Sequence, residues 1–277
     1  MKNQSDRFEI GGETEIRRLG FGAMRITGPE IIGPPDDEKR ARDLLRRAVE
    51  IGVDFVDTAD SYGPGVSERL IGEALDPTDA VVATKAGLLR NTDGEWLRCG
   101  DPDYLRNQAL VCRDRLGTET IDLYQYHAPD PQTPFEDSIE ALAELKDDGL
   151  IGHVGLSNVT VDQLQRARDH VEIATVQNRY NVANRADEDV LRMCEQHDIG
   201  FIPWYPMGAG DLGELTPILE EIGETHDATP RQIALAWLLE HSPVLLPIPG
   251  TSDPDHLEEN VAASRIELTD AEYDRLT

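Results

Sequence analysis

Residues 53–63 read VDFVDTADSYG, an apolar run that stops at Asp57 and gives way to small and polar residues around Tyr62. Two later stretches repeat the design: AVVATKAG (80–87) closes around Lys85, and IDLYQYHAP (121–129) closes at His127. Short apolar runs bounded by Gly, Pro and Asp read as buried strands, and each of these three carries an ionisable group at its C-terminal end. LGFGAM (19–24) precedes them, while HVGLSN (153–158), ATVQN (174–178), GFIPWYP (200–206) and VLLPIPG (244–250) follow. Eight strand-like segments result.

Amphipathic stretches separate them, predicting helices over 37–51, 67–75, 102–116, 135–148, 161–170, 187–197, either 217–225 or 230–240, and 254–263. Thr229-Pro230 and Thr160 supply helix-start chemistry, a capping hydroxyl and a first-turn proline. RFEIGGETEIRRL (7–19) predicts a hairpin turning at Gly11-Gly12. Eight strand–helix units with no break in composition predict an α/β fold: one (β/α)8 TIM barrel over 1–277, a single domain with a short N-terminal β-hairpin. A doubly wound open sheet would place G-x-G-x-x-G after its first strand. Here Gly20 and Gly22 are followed by AMRIT, without a third glycine. In a barrel, polar residues that close the strands gather at the C-terminal rim, so Asp57, Tyr62, Lys85 and His127 are expected to meet there. A phenol, an ammonium, a carboxylate and an imidazole on one rim suit proton donation to a carbonyl oxygen, reductase chemistry if a hydride donor binds beside them.

Composition sets the surroundings. The 277 residues carry 54 Asp and Glu against 26 Lys and Arg, a formal net charge of −28. A field of that sign repels nucleic acid and anionic membrane, and neither is expected as a partner. Lys2, Lys39, Lys85 and Lys146 are the four lysines among the 26 bases; the remaining 22 are arginine. An acidic, lysine-poor surface points to a halophilic setting, where the Debye length falls to about 3 Å at 1 M salt and self-repulsion is screened. Cys99, Cys112 and Cys194 form no CxxC pair, and no metal site is expected. With no leader-like start at Met1 and no apolar run near 18 residues, the expected location is the cytoplasm, with thiols reduced.

Taken together, GVDFVDTADSYG with the following SERLIGEAL, then TKAG, LYQYHAPDP, HVGLSN, QNRYN, WYPMG and PIPGTSDPDHLEENVAA resemble the aldo-keto reductases over nearly the whole chain. The early segment FGAMRITGPEIIGPP (21–35) is similar to the small bacterial branch that contains pyridoxal reductases. The resemblance implies NAD(P)H-dependent, reversible reduction of an aldehyde or ketone. Tyr62 would be the proton donor, Lys85 the cation that favours its phenolate, Asp57 the counter-ion of Lys85, and His127 a neutral group orienting the substrate oxygen.

By the same resemblance, Ser157, Asn158 and Gln177 would hydrogen-bond the nicotinamide carboxamide, a planar group that amide side chains match. Trp204 or Tyr205 would stack on the ring. Gly22, Ala23, Met24, Pro206, Met207, Gly208 and Ala209 would lie along the cofactor, the last three offering backbone amides to its diphosphate. One segment departs from the family pattern. Gly250 and His256 stand where many relatives place a lysine and an arginine for a 2′-phosphate, and Asp253 and Asp255 add negative charge. Thr251 and Ser252 remain hydrogen-bond donors, and Glu259 and Asn260 suit adenine. Family habit implies NADP, the substitutions lean towards NAD, and NADP stays slightly ahead. Met24, Arg25 and Trp96 are expected to line the pocket of a small carbonyl substrate; Arg25 has a surface ion pair as its alternative role. The barrel needs no partner to close its core, so a monomer or weak homo-oligomer is expected. Two other functions fit the tetrad: a cofactor-sensing barrel subunit without turnover, and an aldolase-type enzyme with Lys85 as Schiff-base nucleophile.

Overall fold

The computed structural model describes residues 6–208 and 212–277; Ala209 lies outside the described residues. The N-terminal hairpin pairs β1 (Arg7–Ile10) with β2 (Thr14–Arg17), Ile10 opposite Thr14. Its two inward residues, Ile10 and Ile16, are fully buried and pack with Phe55, Ala83, Leu123, Ala174, Ile202 and Leu246. The hairpin therefore plugs the N-terminal mouth of a barrel. Beneath it Arg18 is also buried, donating to the carbonyls of Leu239, Ser242 and Leu245. Burial brings this guanidinium down to about 10 against the pull of Glu240 and Asp6.

Seven parallel strands form the wall in chain order: β3 (Phe21–Gly22), β4 (Phe55–Asp57), β5 (Val81–Ala86), β8 (Ile121–Tyr126), β9 (Ile151–Ser157), β10 (Ile173–Arg179) and β11 (Gly200–Trp204). The eighth segment, 244–250, is extended but not a regular strand, because Pro247 and Pro249 remove every second donor. It still closes the ring. Phe201 donates to Val244 O (2.7 Å) and Leu246 to Phe201 O (2.8 Å) on one side, while Gly20 donates to Pro247 O (3.0 Å) and Gly22 to Pro249 O (3.4 Å) on the other. Strand one is equally abbreviated, only two residues of LGFGAM being paired as strand.

The outer helices are α1 (Glu38–Glu50), α2 (Val66–Ala74), α3 (Pro102–Leu116), α4 (Phe135–Asp147), α5 (Val161–Arg168), α6 (Glu188–Gln196), α7 (Thr216–His226), α8 (Pro230–His241), α9 (Pro254–Ala262) and α10 (Asp270–Leu276). Asp37 caps α1 by accepting from Arg40 N, and Ala41, Leu44, Leu45 and Ala48, spaced three and four apart, bury one face. The sequence offered 217–225 and 230–240 as alternatives; both are helices. Two elements were not expected. α10 starts from a Thr269–Glu272 capping box, and the long loop after β5 folds into an antiparallel hairpin, β6 (Leu88–Arg90) with β7 (Trp96–Arg98).

Candidate active site

Side chains alternate in and out along each strand, so the apolar barrel floor gives way two residues later to a polar layer. Phe55 is followed inward by Asp57, Ala83 by Lys85, Leu123 by Gln125 and then His127, Thr175 by Gln177, and Ile202 by Trp204. Lys85 Nζ donates to Asp57 Oδ1 and to Thr58 O, both at 2.7 Å, with the lysine side chain fully buried. Asp57 Oδ2 accepts from Gln177 Nε2 (2.9 Å) and Gln125 Nε2 (3.2 Å). The buried carboxylate thus accepts from three side-chain donors, as a buried charge requires. Gln125 was not singled out from the sequence, although the alternation of LYQYH turns it to the interior.

Tyr62 caps this layer, with Lys85 Nζ 5.2 Å from its ring centroid. Burial opposes the Lys85 charge, but Asp57 and Tyr62 together overcome it and the ammonium is held above its ordinary value. For Tyr62, burial is the largest influence and raises the phenol, with Lys85 pulling the other way. Lys85 thus favours the phenolate, limiting a rise that burial imposes. Burial and then Lys85 hold His127 well below the ordinary imidazole range, so its ring is neutral at pH 7. A Schiff-base role for Lys85 needs the free amine, and the Asp57 pair opposes it.

The rings of Tyr62, Trp96 and His127 stand edge to face, with centroids 6.4 Å (Tyr62–Trp96), 6.0 Å (Tyr62–His127) and 6.4 Å (Trp96–His127) apart. Trp96 reaches them from β7, and the Arg90 guanidinium of β6 lies 4.0 Å from its ring centroid. Below them opens a cavity of about 440 Å³. Of the residues expected from sequence, Gly22, Met24, Arg25, Asp57, Tyr62, Trp96, His127, Ser157, Asn158, Gln177, Trp204, Tyr205, Pro206, Met207 and Gly250 line it. Lys85 lies behind, touching Asp57. Leu88, Ile248 and Arg231 also line it and were not foreseen. Arg231 sits in the first turn of α8, on no motif.

Other expected residues face elsewhere. Ala23 is fully buried and its carbonyl accepts from Ser67 Oγ. Gly208 is not among the lining residues; it packs towards Leu212. Thr251 Oγ1 accepts from Asp253 N, and Asp253 in turn caps α9 by accepting from Asp255 N and His256 N. The GTSDPDH segment is thereby a helix-entry turn. Ser252 and His256 are exposed around it, Asn260 is buried, and Glu259 lines a separate groove between α1, α7, α8 and α9.

At the end of β9, Asn158 takes a positive φ of 58°. Its side-chain amide donates to His127 O (3.0 Å) and Ser157 Oγ (3.0 Å), and its Oδ1 accepts from Trp204 Nε1 (3.1 Å). Left-handed backbone at a non-glycine is a local strain, here offset by three hydrogen bonds that tie strands β8, β9 and β11 at the rim. Trp204 and Tyr205 meet edge to face at 5.0 Å.

A rim that can pass a proton to one oxygen while offering amides and an indole to a planar ligand defines a barrel oxidoreductase. The chain belongs to the Aldo/keto reductase family, whose profile matches residues 18–277. It is 47% identical over 266 residues to an uncharacterised oxidoreductase of Schizosaccharomyces pombe, covering 96% of this chain and 87% of that protein. It is 40% identical over 278 residues to pyridoxine 4-dehydrogenase of Escherichia coli, covering 96% and 95%. Among solved structures, a glycerol dehydrogenase from Gluconobacter oxydans superposes with a TM-score of 0.89 at 28% identity, covering 98% of this chain and 94% of that one.

Proposed function

We propose that the chain reduces a small aldehyde or ketone, reversibly, with Tyr62 as proton donor, and that residues 1–277 act as one catalytic barrel. The observation that carries this reading is the buried Asp57–Lys85 pair, 2.7 Å apart, directly behind a protonated phenol that faces the cavity. Tyr62 delivers its proton to the substrate oxygen. Lys85 then stabilises the phenolate left behind, and Asp57, held by Gln125 and Gln177, keeps Lys85 charged and in place. Neutral His127 orients the same oxygen without competing as an acid.

A nicotinamide dinucleotide supplies the hydride when bound, and the donor set suits one. Among the described residues Gln177 Oε1 accepts no hydrogen bond, leaving an acceptor for a carboxamide beside the Trp204 indole. NADP is favoured slightly over NAD. The name of the Escherichia coli relative, pyridoxine 4-dehydrogenase, supports a pyridoxal-like carbonyl, as does the aromatic wall of Tyr62, Trp96 and His127. The acidic surface supports cytoplasmic work in concentrated salt, with no nucleic-acid or membrane partner and a monomer or weak homo-oligomer as the working unit. No helix among the described residues is long and apolar enough to cross a membrane. Tyr62→Phe tests the reading: turnover of pyridoxal should fall by at least a hundredfold while dinucleotide still quenches tryptophan fluorescence. Undiminished turnover removes Tyr62 from the role.

A further inference from the structure

In a chain with twice as many acids as bases, several exposed arginines find a carboxylate. Arg46, Arg47, Arg166, Arg192 and Arg275 each do so within 3.5 Å. Arg25 and Arg231 do not. Both are exposed and both line the 440 Å³ cavity, yet among the described residues neither side chain makes an ion pair or a hydrogen bond. Two guanidinium groups therefore share one cleft, and the carboxylate among its lining residues, Asp57, is already paired with Lys85.

They also stand in one sector of the barrel. Arg25 follows strand one, Arg231 opens the helix between strand seven and the closing segment, and Gly250 ends that segment; Tyr62, Lys85 and His127 come from the sector of strands two to four. Position 250 itself has no room for a cation. A Cβ there would lie 2.7 Å from Gly22 O, and the Arg25 Cγ already sits 3.6 Å from that point. Nor does His256 reach the cavity, since it belongs to the capping turn of α9.

We propose that Arg25 and Arg231 together grip a phosphate group of the dinucleotide, in place of cations at positions 250 and 256. This rests on the carbonyl-reductase reading for its ligand. Guanidinium groups match phosphate oxygens in paired hydrogen bonds, and two of them approaching from separate elements would fix the cofactor's length along the cleft.

The test is a fluorescence titration of wild type, Arg25→Ala and Arg231→Ala with NADPH and NADH, at low and at molar salt, after matching far-UV spectra confirm folding. Each substitution should raise the Kd for NADPH at least tenfold at low salt and flatten its dependence on salt, because a phosphate contact screened by salt has been removed. A loss confined to NADPH places the grip on the 2′-phosphate; equal loss for NADH places it on the diphosphate. If wild type binds and both variants bind both dinucleotides within twofold of it, the grip is wrong while the reductase reading stands. If wild type binds neither dinucleotide, both fall.

Discussion

Lys85 Nζ and Asp57 Oδ1 form an ion pair of 2.7 Å in which the two side chains are 0% and 2% exposed. A pair so dry costs desolvation on both sides, and fold stability alone gives little reason to retain it. Under the proposed function its value lies in what it does for the phenol above it.

Removing one partner exposes that cost. Asp57→Asn leaves the ammonium buried against an amide, and unfolding in urea should show a loss of about 3 kcal/mol or more. Turnover should fall with it. The double variant Asp57→Asn/Lys85→Met should recover much of the stability and none of the turnover, separating the two roles.

Asp60, two residues before Tyr62, gives a pH prediction. Burial first, then Glu68, push its carboxyl up to about 7 against hydrogen bonds from Tyr104 and Ser61. The folded state therefore binds this proton more tightly than the unfolded chain, whose Asp titrates near 4. Its favourable contribution is complete below about pH 4 and is lost as pH rises to about 7, on the order of 4 kcal/mol in all. His127, held low by burial, acts in the opposite sense below about pH 6.5. The quantity to measure is thus the difference between Asp60→Asn and wild type: the urea midpoint of the variant minus that of wild type should be larger at pH 8 than at pH 5.

Trp96 offers a test of the aromatic wall. Without its ring, Tyr62 and His127 lose one side of their edge-to-face arrangement and Arg90 loses its platform. Trp96→Ala should raise the KM for pyridoxal roughly tenfold, about 1.4 kcal/mol, with a smaller change in kcat. A collapse of kcat with KM unchanged would place Trp96 in proton transfer instead.

Salt acts on two opposing populations. Surface pairs such as Arg47–Glu258 and Arg106–Glu144 weaken as salt rises, each contributing about 0–1 kcal/mol. Repulsion within a net charge of −28 weakens too, and it dominates because most acids lack a base. Tm should therefore rise between about 0.1 M and about 2 M KCl, where the Debye length shrinks below typical charge spacings. A falling Tm would overturn the halophilic reading.

The parts of the fold legible in sequence were those with local physical causes. Helix α3 begins where Asp101 and Pro102 dictate and ends at Gly117, in left-handed backbone; the reading of 102–116 needed nothing distant. The β6–β7 hairpin was missed because its strands are only three residues each and Trp96 is held on the rim by Tyr62 and His127 from other parts of the chain, while NTDGEW reads locally as loop. Arg231 was missed for the same kind of reason. It is an ordinary residue in a helix's first turn, and only closure of the barrel turns it into the cleft. Conversely, Thr251, Ser252 and His256 have suitable chemistry, but the Thr251 hydroxyl and the His256 backbone amide serve the entry of α9. Tyr62 lines the cavity, yet the balance between burial and Lys85 depends on how deeply the ring sits, which no spacing reveals.

The proline-interrupted closing segment carries one more consequence. Where the other strands are stitched by regular ladders, residues 244–250 hold the ring with isolated hydrogen bonds to Phe201, Gly20 and Gly22. Such a seam sets the order in which the native state loosens: the amides of Gly20 and Gly22 would trade their protons for deuterium before those of β8 and β9. Breathing of the barrel would then be concentrated beside Arg25 and Gly250, and it would reach Asp57 through Gly22, its partner in the β3–β4 ladder, while Lys85 stays anchored on the longer β5.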